Sequence, residues 1–180
     1  HMTYVYLAVF RAVVDAGVRV DVIHFWEDMC GKQGPLISPA HWREFMGPCY
    51  RRIKAFADAH DIPIISVDTD GQPLLIIEPM IEAGVNYLWP FEVAAGCDVN
   101  FFRERFPTLG MMGGIDKRIL IGGDKDAIRR EIERLAPLAR EGGYIPHIDH
   151  LVPPEVTLET YKHYLRIKRE LLGIPEPAPF

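Results

Sequence analysis

The sequence predicts an α/β protein built on a parallel sheet, and three observations support that expectation. Short apolar runs alternate along the chain with segments of helical spacing. The apolar runs are nearly continuous, and each ends in polar or glycine-rich residues. Parallel neighbours need crossover connections, which the helical segments between the runs supply.

The elements follow in order. VRVDVIHFWED, Val18 to Asp28, reads as the first strand, and the helical segment from Ser38 opens with a serine cap before Pro39. IPIISVDTDG, Ile62 to Gly71, is the second strand, followed by a helix from Gln72 that stops at Gly84. The third strand is VNYLWPFE, Val85 to Glu92, and a short helix starts at Val99. LGMMGGIDK, Leu109 to Lys117, is the fourth, before an amphipathic helix capped by Asp124 or Asp126 and stopped at Gly142. Alternating charge on that helix marks a solvated outer face. GYIPHIDH, Gly143 to His150, is the fifth strand, and a last helix runs from Thr157 to about Leu172.

With 180 residues and 48% hydrophobic content, the chain is expected to form one domain. A formal net charge of -5 and the lack of any basic cluster with interleaved aromatics argue against a nucleic-acid partner. No apolar stretch of about 20 residues suggests a membrane span, so a soluble protein with a small-molecule substrate is expected. Cys30, Cys49 and Cys97 are far apart and odd in number, which suits a reducing cytoplasmic setting. They read as packing residues, with Cys97 at the surface. His1 and Met2 read as a cloning remnant, and His1 is left out of the functional reading.

In a barrel or an open doubly wound sheet alike, chemistry gathers at the C-terminal strand ends. Asp68 and Asp70 lie two apart, so in an extended strand both side chains face one side, and Gly71 then lets the chain turn. The bland reading of D-T-D-G is a turn with aspartates accepting backbone N–H groups. His147, Asp149 and His150 offer ligands and acid–base groups, or a loop sealed by hydrogen bonds before Pro153 and Pro154. Glu27 and Asp28 could act as proton donor or base, or one could point inward while the other caps a helix or pairs with Lys32. Glu92 is a candidate for a substrate hydroxyl or a metal shell, and Trp89 for a pocket wall. Asp116 and Lys117 could ion-pair or receive a substrate carboxylate, beside Gly113 and Gly114, which permit close backbone approach. No phosphate-loop spacing is present.

Four segments, GPLISPAHWREFMGPCYRRIKAFADAH, DTDGQPLLIIEPMIEAGVNYLWPFE, RERFPTLGMMGGIDKRIL and EGGYIPHIDHLVPPEVTLETYKHYL, resemble the C-terminal half of the uroporphyrinogen decarboxylase superfamily. The resemblance runs from about Val18 to Leu172 and implies a partial (β/α)8 TIM barrel of about five parallel βα units. That superfamily contains decarboxylases and zinc-dependent methyltransferases working with corrinoid proteins or thiols. The decarboxylases' arginine-rich motif and N-terminal aspartate have no counterpart here, which argues against porphyrinogen decarboxylation. The methyltransferases' zinc segment H-x-C-G matches Asp68-Thr69-Asp70-Gly71, with aspartate in both ligand places. Their third ligand falls on Pro146 to His150, where His147, Asp149 or His150 could replace cysteine.

The expected function is a methyltransferase-like activity on a small methylated or methoxylated compound. A metal, zinc above all, would be held by Asp68, Asp70 and a late histidine, with Glu27 or Asp28 as proton donor. Rivals are a metal-free decarboxylase-like lyase using Lys117 or protonated His147 to stabilise negative charge, a metal-dependent hydrolase, and a non-catalytic binding or assembly module. Half a barrel would leave edge strands unpaired, so a homodimer is expected.

Overall fold

Thr3 and the apolar Leu7, Phe10 and Val14, spaced three and four apart, form the inner stripe of a helix that opens the chain, α1 (Met2–Asp15). The sequence reading assigns this stretch to no element, although its periodicity was there to be used. The computed structural model describes residues 1–175 and 177. Its chain divides into two compact units, His1–Trp89 and Pro90–Phe180.

In the first unit α1 leads to β1 (Val22–Trp26), a small hairpin of β2 (Cys30–Gly31) and β3 (Gly34–Pro35), and α2 (Pro39–His41). A π-helical turn, Trp42–Met46, carries α2 into α3 (Gly47–Ala59); then come β4 (Ile64–Asp68), α4 (Leu74–Glu82) and the start of β5 (Tyr87–Phe91). Ser38 caps as expected: its side chain accepts from the His41 N–H, with Pro39 at the first helical position. β1 and β4 pair in parallel from Val22 opposite Ile64 to Trp26 opposite Asp68, and β4 and β5 from Ser66 opposite Tyr87 to Asp68 opposite Trp89. β1 buries Ile23 and Phe25 and exposes Val22, His24 and Trp26, the period-two pattern of a strand with one covered face. On the covered side Phe25 meets Tyr50 edge to face at 5.4 Å between centroids, and Phe10 of α1 packs on Phe25 and Phe56.

The second unit continues with a 3-10 turn at Val93–Ala95, α5 (Val99–Arg105), β6 (Gly110–Ile115), α6 (Arg118–Ile121), α7 (Lys125–Glu141), β7 (Tyr144–Ile148) and α8 (Leu158–Leu172). β6 and β7 pair in parallel from Met111 opposite Tyr144 to Ile115 opposite Ile148. Asp124 is the cap of α7 and accepts from the N–H groups of Asp126 and Ala127; Thr157 does the same for α8 through Thr160. α7 buries Ile128, Ile132, Leu135, Ala136 and Leu138 and leaves its charged residues outward. Phe91 and Phe102 anchor the core edge to face at 5.0 Å. Cys97, expected at the surface, is fully buried. Among the described residues Cys30, Cys49 and Cys97 form no disulfide.

The fold is α/β: five main strands, parallel wherever two of them pair within a unit, alternate with helices in the manner of about five βα units of a (β/α)8 barrel. The expected strands are longer than the observed ones because their polar ends leave the ladder and turn. Among the described residues no helix is long and apolar enough to cross a membrane.

Candidate functional site

The end of β4 is held on both sides by backbone. Glu27 N–H donates to the Asp68 carbonyl at 2.8 Å, and Thr69 N–H donates to the Trp89 carbonyl at 2.8 Å. Thr69 is buried and turns its hydroxyl away from its aspartate neighbours to accept from Met29 N–H at 3.0 Å. Strand alternation then sends Asp68 and Asp70 to the opposite side. Their carboxylates converge there, and Asp28 joins them: one ligand atom from each of Asp28, Asp68 and Asp70 lies within 4.8 Å of the others. Asp68 is almost wholly buried, Asp70 is half-buried and Asp28 is exposed. Gly71 makes the turn at a φ of 77°, where a Cβ would stand 2.4 Å from the Gly31 carbonyl oxygen, so this position needs glycine.

Glu27, the residue before Asp28 in the chain, is half-buried. Burial raises its carboxyl above the ordinary carboxylate range, and the Tyr50 hydroxyl opposes that shift from beyond standard hydrogen-bond geometry. Tyr50 itself is buried among Phe25 and Trp42. Burial also pushes the Cys30 thiol up to about 11, with the Thr69 hydroxyl pulling the other way. Cys30 is therefore a neutral packing group, not a thiolate.

In the second unit the central residue is Asp149, which is fully buried. Its N–H extends the β6–β7 ladder to the Ile115 carbonyl at 2.8 Å, while its carboxylate accepts from Val93 N–H at 2.8 Å and from Lys117 N–H at 3.1 Å. One side chain thus ties the segments that leave β5 and β6 to the end of β7. Burial raises the Asp149 carboxyl, against the two N–H groups and the charge of Lys117. Lys117 reaches Glu92, with Nζ at 3.5 Å from Oε1. Asp116 is gripped by Arg118 through Nε at 2.8 Å and Nη2 at 2.7 Å. Burial works to raise the Asp116 carboxyl, but the guanidinium and the Arg118 N–H bring it below its ordinary value. His147 and His150 are half-buried, and His147 Nδ1 lies against the Ile148 carbonyl oxygen at 2.5 Å.

Three roles escape the sequence reading. Thr69 as a tie to Met29 had a signal in its odd position between two aspartates. Tyr50 facing Glu27 and Arg118 gripping Asp116 had none beyond residue type.

Fold and site together define a barrel-type α/β protein with an acidic group at a strand end. Residues 1–171 match the model of the uroporphyrinogen decarboxylase (URO-D) family, and the chain belongs to that family. It is 25% identical over 156 residues to a uroporphyrinogen decarboxylase of Prochlorococcus marinus, covering 83% of this chain and 41% of that one. A uroporphyrinogen decarboxylase of an Anaeromyxobacter species is 26% identical over 126 residues, 70% of this chain and 35% of its own. The chain spans about two fifths of the length of these curated relatives or less. Among solved structures, a methyltransferase from Methanosarcina mazei superposes with a TM-score of 0.63 at 23% identity, covering 93% of this chain and 47% of that one. That likeness establishes the fold.

Proposed function

We propose that the protein is a methyltransferase-like member of its family that acts on a small methylated or methoxylated compound beside a divalent cation. The observation behind this reading is the convergence of Asp28, Asp68 and Asp70. The donor set does not suit zinc held by thiolates, because the neighbouring Cys30 is a buried neutral thiol. It suits a cation that accepts oxygen ligands, magnesium or manganese first and zinc with carboxylates second. Asp28, Asp68 and Asp70 would hold it, and the chemistry it supplies there is polarisation of a substrate oxygen.

The chain's own contribution is a proton. Glu27, raised by burial, keeps more of its carboxyl protonated near neutral pH than a solvated glutamate does. The methyl group passes to the electron pair of an acceptor, a corrinoid or a thiolate carried by another molecule. The substrate heteroatom keeps the bonding pair and takes the Glu27 proton. Titrating manganese, magnesium and zinc into the protein and into Asp68→Asn and Asp70→Asn tests the site. Both variants are expected to stay folded and to lose at least about tenfold in affinity for the preferred ion. Unchanged affinity in both ends the cation reading.

The curated relatives are decarboxylases, which favours a second reading, a lyase in which Lys117 stabilises developing negative charge. Its amino group already faces Glu92, so a substrate carboxylate would have to compete for it. Release of carbon dioxide without methyl transfer decides for the lyase.

A further inference from the structure

In the second unit α8 carries two positive charges without partners. Lys162 and Arg166 stand one turn apart on its exposed side, and among the described residues neither enters an ion pair. Helical spacing would let Arg166 pair with Glu170 one turn further on, but Glu170 is drawn to Arg129 of α7, with Oε1 at 3.0 Å from Nη2. Glu159, one turn before Lys162, makes no ion pair with it either. Same-sign side chains at this spacing weaken a helix, so the arrangement is unfavourable as it stands. Beyond α8 the chain reverses: Gly173 takes a φ of 66°, and Ile174 N–H donates to the Arg169 carbonyl at 2.9 Å. Pro177 thereby comes back beside Leu165, about two turns before the helix end at Leu172. Lys162, Leu165, Arg166, Arg169 and Pro177 line a hollow of about 320 Å³. That is within the size range of small-molecule sites, about 300–1,000 Å³. Arg169 is engaged in a further interaction, so the uncompensated charge is that of Lys162 and Arg166. No acidic residue is among the described residues of the lining.

We propose that this hollow binds a phosphate monoester with an apolar body, a role that does not depend on the methyl-transfer reading. A phosphate ester carries close to two negative charges and three acceptor oxygens on one atom, so a single group meets the Lys162 ammonium and the Arg166 guanidinium together. A carboxylate brings one charge, and one guanidinium fork occupies both its oxygens. Leu165 and the Pro177 ring supply an apolar wall for the rest of the ligand. The net charge of -5 repels an extended polyanion such as a nucleic acid or an anionic membrane. A compact anion in the hollow instead feels the two near cations, well within a Debye length of about 8 Å. Its binding also relieves the repulsion between Lys162 and Arg166 along α8.

Calorimetry of phenyl phosphate, inorganic phosphate and benzoate with the whole chain tests the site. Phenyl phosphate is expected to bind at least about tenfold tighter than benzoate and to weaken as salt is raised. The apolar wall should favour it over inorganic phosphate by about threefold or more. Lys162→Ala and Arg166→Ala are each expected to weaken phenyl phosphate by about tenfold. Both side chains are exposed, so both variants should keep the circular dichroism of the parent chain. Arg166→Lys keeps the charge without the fork and should recover part of the binding. No binding of phenyl phosphate at millimolar concentration, or binding unmoved in both alanine variants, overturns the inference. Benzoate as tight as phenyl phosphate overturns it too, and so does inorganic phosphate as tight as the ester. Anionic vesicles or an RNA oligomer held through Arg166, with phenyl phosphate not held, would make the helix face a polyanion surface and also overturn it.

Discussion

Two carboxylic acids in this chain share a direction of shift and differ in what holds them. Burial raises both Glu27 and Asp149, yet Asp149 spends its oxygens on backbone N–H groups while Glu27 has only the opposing influence of Tyr50. For Glu27 the folded state binds a proton more tightly than the unfolded chain does. The stability linked to it is thus fully present below the unfolded value near 4.5 and is lost as pH rises through the raised folded value. Glu27→Gln does not titrate and should flatten that part of the stability profile. Urea denaturation from acid to neutral pH checks this, and an unchanged slope means that another group sets it. The same variant should slow methyl transfer without weakening substrate binding if Glu27 supplies the proton.

Strand ends carry the chemistry because that is where elements stop satisfying one another. Asp149 replaces lost ladder bonds at the ends of β5 and β6, with oxygens on Val93 and Lys117. Asp149→Asn keeps the shape but turns a donor toward one of those N–H groups. It is expected to destabilise the protein by about 2–3 kcal/mol, the cost of leaving a buried donor unpaired. Chemical denaturation measures it, and a change below about 0.5 kcal/mol would show that water replaces the lost bond. The contrast with Asp68 and Asp70 is direct, since those variants are expected to lose ligand binding before they lose stability. Among helices the caps were legible: Ser38, Asp124 and Thr157 are short polar residues before an apolar periodic run, and each makes its bond. α1 was missed because it opens without a polar cap, with His1 in that place and no side-chain bond. The β2–β3 hairpin was missed because two-residue strands are below the length at which alternation can be read.

At the scale of the molecule the surface retains many large apolar side chains, among them Leu36 at 80%, Leu151 at 76% and Tyr4 at 62% exposure. Such surface favours self-association. A dimer at micromolar concentration is expected by light scattering, nearly independent of salt because the contact would be apolar; a monomer throughout would count against it. The order of five strands and their helices followed from sequence alone, because burying a strand demands a run of apolar residues and burying one face of a helix demands a period of 3.6. So did Asp68 and Asp70 as a same-side pair, since strand alternation is a local rule. Only tertiary structure decided that Asp28 joins them, that Asp149 binds the backbone of two distant segments, and that Trp26 and Trp89 flank Asp68. Those facts depend on which strands are neighbours and in what register. Register comes from the summed packing of whole strands and helices, which no short stretch of sequence records.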